Sequence, residues 1–367
     1  MTESGLMSVF EHVAFDNHEQ VVFATDAASG LRAIVSLHST VVGPACGGCR
    51  FWSYASSQAA LDDALRLSQG MSYKTVMAGL PMGGGKSVIM KPDGEFDRAA
   101  LFKAFGRVVE QFGGQYITGE DVGVSPADML VVRKSTAHVV GLPEGKAASG
   151  DPSPITAEGV FRGLKVCVGR GLGKSDLNGV RVAIQGAAGH VGMYLAESLA
   201  KAGAELVVTD IREGGLLELK QKFDAKIVGL DEIYDVDVDV FAPCALGSII
   251  NADTIDRISA KIIAGAANNQ LAGRDMGVEL QKRGKIYAPD YVLNAGGVIN
   301  AMGEITGDFD PSWVQDKLLG LETTLGELLD RSDREGRPSN IIADEMARDR
   351  IEDARAAHVS ARVSALV

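Results

Sequence analysis

The chain has 367 residues, 44 of them glycine, with 46% hydrophobic residues and a formal net charge of −12. That length suggests two domains, each able to bury its own core. An acidic balance with no basic stripe argues against a nucleic-acid partner, and no apolar run is long enough to span a bilayer. The opening MTESGLMSVFEHVAF lacks the basic start and apolar core of a secretory signal, so a cytoplasmic location with no membrane partner is expected.

Gln20–Thr25 and Leu31–His38 read as strands joined by a turn at Ala28–Gly30, and Cys49–Tyr54 is expected to extend their sheet. Leu61, Ala64, Leu65 and Leu67 predict a helix over Gln58–Gln69. A glycine-rich break is expected at Pro81–Gly85 and a short strand at Ser87–Met90. Apolar positions Leu101, Ala104, Phe105 and Val108 predict a helix over Asp97–Phe112, and Tyr116–Thr118 reads as a short strand. Ser125, with Asp128 three residues on, has the form of a capped helix start. Gly141–Pro154, rich in Gly, Ser and Pro, reads as a linker. Beyond it, strands at Val180–Gln185, Glu205–Thr209, Val238–Phe241 and Lys261–Ala264 alternate with helices at Val191–Ala202, Gly215–Phe223 and Arg274–Arg283. That alternation predicts an α/β fold with a parallel sheet and crossover helices. Pro311–Leu329 and Ile341–Val363 are expected to be helical.

The strand at Val182–Ile184 leads directly into Gln185-Gly186-Ala187-Ala188-Gly189-His190-Val191-Gly192. Glycines here allow a tight turn and let a pyrophosphate approach backbone N–H groups at a helix N-terminus. The spacing is Gly-x-x-Gly-x-x-Gly, not the usual Gly-x-Gly-x-x-Gly, but a strand precedes it and a helix follows. The next strand ends at Asp210, at about the interval where an acid meets the ribose 2′-hydroxyl. The same carboxylate would repel a 2′-phosphate, which favours NAD over NADP. His190 lies in this loop and is expected to face solvent without acid–base chemistry.

In the first half, Leu80-Pro81-Met82-Gly83-Gly84-Gly85-Lys86-Ser87 fails the Gly-x-x-x-x-Gly-Lys spacing of a P-loop. Three glycines before a lysine let a ligand and neighbouring backbone come close. Lys74 lies twelve positions earlier. Two ammonium groups in one cleft would depress each other's pKa, and a lysine brought to about 7–8 serves as a general base. Asp121, in Thr118-Gly119-Glu120-Asp121-Val122-Gly123, is the candidate proton-transfer carboxylate. Cys46 and Cys49 form a CxxC, with no second CxxC or nearby histidine to complete a metal site, and read as small side chains flanking a Gly-Gly approach.

These motifs resemble the glutamate/leucine/phenylalanine/valine dehydrogenase family. The resemblance rests on Gly43-Pro44-Ala45-Cys46-Gly47-Gly48-Cys49-Arg50, Met71–Lys74, Gly83–Lys86, Thr118–Gly123 and Asp151–Thr156. It continues through Phe241–Ala245, Ala266–Asn269, Ala288–Asp290 and Asn294–Gly297, and the leucine and phenylalanine branch is the most similar. It implies oxidative deamination of an L-amino acid with NAD and water, without a metal. It further implies that Gly47, Gly48 and Lys74 hold the substrate carboxylate, that Lys86 is the general base, and that Asp121 shuttles the proton at the amino group. Thr156, Asn268 and Asn294 would surround the nicotinamide and substrate, with Ala245 also at the cofactor. The implied architecture is an N-terminal α/β substrate domain over 1–143 and a Rossmann-type NAD domain over 150–335, with a cleft between them. The final helix, near 340–367, would pack back on the first domain, and homo-oligomers are usual in the family.

Glutamate-specific relatives carry a lysine at the position of Cys46 and a serine near Ala301. Neither Cys46 nor Ala301 can pair a side-chain carboxylate, which would cost several kcal/mol to bury. With Gly119 leaving further room, a nonpolar substrate of the phenylalanine or leucine type is expected. The alternatives are a glutamate-type dehydrogenase, or a catalytically silent NAD-binding sensor or scaffold, which would have lost Lys74, Lys86 or Asp121. A 2-hydroxy-acid or alcohol dehydrogenase would need a catalytic histidine or zinc ligands, and the six histidines form no such cluster.

Overall fold

Strands rich in β-branched residues and one long helix build the first part of the chain. The computed structural model describes residues 8–142, 151–306 and 310–364. The strands are β1 (Gln20–Asp26), β2 (Leu31–Ser39), β3 (Ala45–Cys46), β4 (Cys49–Trp52), β5 (Gly83–Met90) and β6 (Tyr116–Ile117). The helices are α1 (Ser57–Met77), α2 (Arg98–Glu110) and α3 (Pro126–Arg133). The sheet runs β1-β2-β5-β3-β6, with β4 also on β5. The pleat sends alternate residues to opposite faces. Ile34 and Val88 meet Ala60, Leu61, Ala64 and Leu65 of α1. Val35, Leu37 and Ile89 meet Leu101, Phe102 and Phe105 of α2 on the other face. At Ser125 the expected cap forms in full, a reciprocal capping box with Asp128.

Two expectations need correction here. The helix expected to stop at Gln69 continues to Met77. Its buried face turns polar after Leu65, through Ser68, Ser72 and Thr75, so the apolar periodicity vanishes while the helix goes on. These hydroxyls are satisfied internally: Thr75 donates to the Met71 and Ser72 carbonyls, and Ser68 to Leu65. The break expected at Pro81–Gly85 is also not one, because Gly83, Gly84 and Gly85 lie inside β5. A Cβ at Gly84 would stand 1.9 Å from the Ser72 nitrogen. The glycines are there so that α1 can lie directly on the strand.

The rest of the described chain is a second α/β layer structure. It comprises α4 (Ser153–Leu172), β7 (Arg181–Gln185), α5 (His190–Lys201), β8 (Glu205–Thr209), α6 (Glu213–Phe223), β9 (Lys226–Ile227) and β10 (Val240–Pro243). Then come β11 (Ile262–Ile263), α7 (Arg274–Lys282), β12 (Ile286–Tyr287), α8 (Asp290–Leu293), α9 (Gly296–Thr306), α10 (Pro311–Glu335) and α11 (Ser339–Ser364). The six strands run β12-β11-β10-β7-β8-β9, and every pairing is parallel. β7 sits where the strand order reverses, the position at which open α/β sheets bind ligands. Helix α4 was not anticipated, and its first residues fall in the expected linker, of which 143–150 lie outside the described residues. Small residues dilute its pattern: a Cβ at Gly163 would fall 2.1 Å from Leu293 Cδ2, and Gly159 and Gly163 stand beside Val160, Leu164 and Val168 on the buried face.

The chain divides into two compact units. One is Met1–Gly150, Gly303–Phe309 and Asp349–Val367; the other is Asp151–Met302 and Asp310–Arg348. In the first unit, Arg350 of α11 donates to the Val76 and Met77 carbonyls at the end of α1, at 3.3 and 3.2 Å. Among the described residues, no helix is long and apolar enough to cross a membrane.

Candidate active site

In the first unit, one edge of β5 is shared by two short strands. β3 pairs with Gly83 and Gly84, β4 pairs with Ser87 to Met90, and Gly47-Gly48 lies between them. The interruption falls opposite Gly85 and Lys86. A Cβ at Gly47 would stand 1.8 Å from the Gly85 carbonyl oxygen, and one at Gly48 would stand 2.2 Å from that of Glu120. Neither position tolerates a side chain, which makes Gly47-Gly48 a bare backbone segment packed beside Met71 and Asp121. Tyr116 supports it from below, donating to the Gly47 carbonyl at 2.7 Å while sharing a 2.9 Å hydrogen bond with Ser87.

Strand alternation puts Lys86 on the same face as Gly84 and Val88, the face covered by α1. Met71 of α1 reaches within 3.2 Å of the place a Gly47 Cβ would take. Lys74, one turn further and half-buried, shares that side of the helix. Lys86 is 6% exposed, and its Nζ lies 2.7 Å from Asp121 Oδ2. Arg50 Nε donates to that same oxygen at 3.0 Å. Burial pushes the Asp121 carboxyl up, but Lys86 and then Arg50 outweigh it and hold the group below the usual carboxylate range. The immediate partner of Lys86 is therefore the Asp121 carboxylate. Cys46 and Cys49 are buried in β3 and β4, and burial pushes both thiols up to about 12, so they remain neutral. Gly119 packs beside Val140, whose Cγ2 would be 3.0 Å from an added Cβ.

In the second unit, the loop after β7 opens with Gly186 at φ +83°, in the region that favours glycine. The loop satisfies itself first. Gly186 and Ala187 donate to the Thr209 carbonyl, Gly189 to that of Gly186, and Ala188 to Asp210 Oδ2 at 3.0 Å. Helix α5 then starts at His190 after Gly189, with no side chain capping it. Among the described hydrogen bonds none is donated by the backbone N–H of His190, Val191 or Gly192. Three first-turn donors at a helix N-terminus fit a pyrophosphate. A Cβ at Gly192 would lie 2.1 Å from the Gly186 oxygen, so this glycine locks the helix against the loop. A cavity of about 730 Å³ lies beside the loop, lined by Gly186, Gly189, His190, Asp210, Ala245 and Ile249 among others. It is large enough for part of a dinucleotide. His190 is exposed, as expected. Asp210 lines this cavity, but its carboxylate is already engaged: Oδ1 accepts from the Arg212 N–H at 2.9 Å and lies 3.4 Å from Arg212 Nε.

Asn294 donates to the Ala266 carbonyl at 3.0 Å and to Asn268 Oδ1 at 2.8 Å, while its own Oδ1 is buried with no protein partner. That orphaned acceptor is a second feature that fits a bound polar group. Thr156, in the first turn of α4, donates to the Pro152 carbonyl and would stand 3.2 Å from a Cβ at Gly297, at the start of α9. Ala301 is half-buried on α9 of the second unit. The sequence reading gave no role to Arg50, Tyr116 or Arg212. Arg50 stood in a quoted motif, but nothing in its spacing reveals which carboxylates it meets.

Residues 18–138 match the Glu/Leu/Phe/Val dehydrogenase dimerisation domain, and residues 210–320 match the Glutamate/Leucine/Phenylalanine/Valine dehydrogenase domain. Leucine dehydrogenase from Thermoactinomyces intermedius is 44% identical over 346 residues, 94% of each chain. Phenylalanine dehydrogenase from Bacillus thermotolerans is 45% identical over 306 residues, 82% of this chain and 79% of that one. The crystal structure of L-tryptophan dehydrogenase from Nostoc punctiforme superposes with a TM-score of 0.83 at 40% identity, covering 92% of this chain and 97% of that one. The protein is thus an amino acid dehydrogenase, an oxidoreductase of the NAD(P)-dependent class. Within that class, the chain belongs to the glutamate/leucine/phenylalanine/valine dehydrogenase family.

Proposed function

We propose that the enzyme uses NAD to convert a nonpolar L-amino acid and water reversibly to the 2-oxo acid, ammonium and NADH, with leucine or phenylalanine as the type substrate. The observation that carries this reading is the buried Lys86–Asp121 pair, 2.7 Å apart, beside the bare Gly47-Gly48 backbone. In this reading, Lys74 anchors the substrate carboxylate beside the backbone of Gly47 and Gly48. The Asp121 carboxylate draws a proton from the substrate's ammonium. Lys86, acting as the general base, takes a proton from the water that attacks the imine carbon. NAD, when bound, accepts the hydride from the substrate Cα. The free N–H groups of His190, Val191 and Gly192 would hold its pyrophosphate, with Thr156, Ala245, Asn268 and Asn294 nearer the reacting end. Asp210 favours NAD by placing a carboxylate in the lining of the cofactor cavity.

The neutral Cys46 thiol and the Gly119 and Ala301 positions provide no cation for a side-chain carboxylate, which supports a nonpolar substrate. The substrate domain is read as the first unit and the NAD domain as the second. Self-association is part of the reading: the matched first domain carries a dimerisation description, and Phe23 on the edge strand β1 is exposed. Four unpaired cysteines suit a cytoplasmic setting. The test is initial NADH formation with leucine, valine, phenylalanine, tryptophan and glutamate, and with NAD against NADP. Glutamate is expected to be at least ~100-fold poorer in kcat/KM than the best nonpolar substrate, since an unpaired buried carboxylate costs several kcal/mol. Glutamate as the best substrate refutes the pocket argument, and a preference for NADP refutes the reading of Asp210.

A further inference from the structure

Arg50 is half-buried on β4, and its guanidinium spans two carboxylates. Nε donates to Asp121 Oδ2 at 3.0 Å, and Nη1 donates to Asp63 Oδ2 at 2.8 Å. Asp63 belongs to α1 and is itself fixed. It accepts from the Tyr54 hydroxyl at 2.8 Å and from Arg66 Nη2 at 3.2 Å. On the other side, Lys86 Nζ takes the same Asp121 oxygen at 2.7 Å. Two cations therefore converge on Oδ2. A planar guanidinium held at both ends is a fixed fork, and a lysine could not span the same two acceptors.

We propose that Arg50 is a positioning residue for the reaction. By gripping Asp121 Oδ2 together with Lys86, and by bracing against Asp63, it orients the carboxylate so that Oδ1 is the atom that meets the substrate's amino group. The proposal rests on the reading of Asp121 as the proton shuttle. Arg50 also acts as a mechanical tie between the Asp121 loop and α1, the helix that carries Lys74. The carboxylate that handles the amino group and the ammonium that anchors the carboxyl end are thereby held in one frame. A small error in such a frame is costly to a reaction that needs its groups aligned.

A merely structural ion pair and a positioning residue predict different kinetics. Removing a cation beside a coupled lysine–carboxylate pair makes every proton in the pair harder to lose, whichever group sheds it. Arg50→Gln is expected to move the acid limb of the kcat profile for amino acid oxidation to higher pH by about one unit. The same variant is expected to lower kcat by about 10- to 100-fold, with the amino acid KM changed by less than about threefold. Arg50→Lys keeps the charge but cannot hold both carboxylates, so its acid limb is expected to stay near the wild-type position while kcat still falls about fivefold or more. Thermal melting of each variant checks folding; if Arg50→Gln does not fold, Arg50→Lys decides by its kcat. Wild-type-like kcat and an unmoved limb in the folded variants overturn the assignment to Arg50. A wild-type protein that makes no NADH from any amino acid overturns the proposed function and, with it, this proposal.

Discussion

Lys86 owes its assigned chemistry to its surroundings. It is buried on a strand, paired to a carboxylate, and preceded by glycines that let α1 lie directly on that strand. Lys86→Ala is expected to lower kcat by at least ~1,000-fold, the range for loss of a general base. Because the cofactor loop belongs to another unit, NADH affinity should stay within about threefold, as titration of NADH fluorescence would reveal. Lys74→Ala is expected to act mainly on KM, raising it by about 10-fold or more, because a carboxylate anchor binds ground state and transition state alike. Lys86 and Asp121 were legible in the sequence, since glycines before a lysine and a Gly-Glu-Asp run already ask for a reason. Arg50 was not. Its role depends on Asp63 and Asp121, which are 13 and 71 residues away along the chain and adjacent only in the fold.

Among the elements, α1 shows what periodicity misses and why. Its second half packs through hydroxyls and a buried histidine. His18 Nε2 meets the Leu65 carbonyl at 3.0 Å and Ser68 Oγ at 3.1 Å, while the Asp16 N–H donates to Nδ1 at 3.1 Å. This arrangement fits a neutral ring. Burial, and then the neighbouring His38, push its pKa down from 6.5 to about 4. The unfolded chain takes up a proton below pH 6.5 and the folded protein resists until about pH 4, so the stability is complete above 6.5 and is lost as pH falls through that window. The loss is on the order of 3 kcal/mol. Urea unfolding at pH 7 and pH 4.5 should show a smaller pH dependence for His18→Gln than for wild type; equal dependence would contradict this. Two glycine substitutions test the other contacts. Gly84→Ala should destabilise the protein by about 3 kcal/mol or more, because backbone of α1 cannot yield as a flexible side chain would. Gly192→Ala should weaken NADH binding by about tenfold or more, through displacement of the α5 donors. The strand–helix alternation of the second half was readable because the middles of β7 and β8 and most of β10 are apolar. Helix α4 was not read, because Gly159 and Gly163 dilute the apolar stripe of Val160, Leu164 and Val168.

At the level of the whole molecule, each unit carries its own sheet and its own proposed ligand. NADH alone is therefore expected to slow amide hydrogen exchange in the first turn of α5 and in the loop from Gly186, and to leave β5 unchanged. Protection of β5 by NADH alone would contradict the division of labour. A parallel sheet was foreseeable from sequence because β7, β8, β10 and β11 announce themselves locally, whereas β9 and β12, two residues each, do not. The first sheet was harder to foresee, since β3, β4 and β6 are two to four residues long and take their places only by pairing with distant partners.

The lysine assigned as the base stands in mid-strand, with β2 bonded along one edge of β5 and β3 and β4 sharing the other. Amides in such interior ladders open only with much of the surrounding structure. Gly119 and Ala301, the positions expected to shape the side-chain pocket, are carried by other segments. Selection for new amino acids could therefore remodel the pocket walls repeatedly while the proton-transfer apparatus keeps its coordinates, and variants with altered appetite should retain an undiminished response to alkaline conditions.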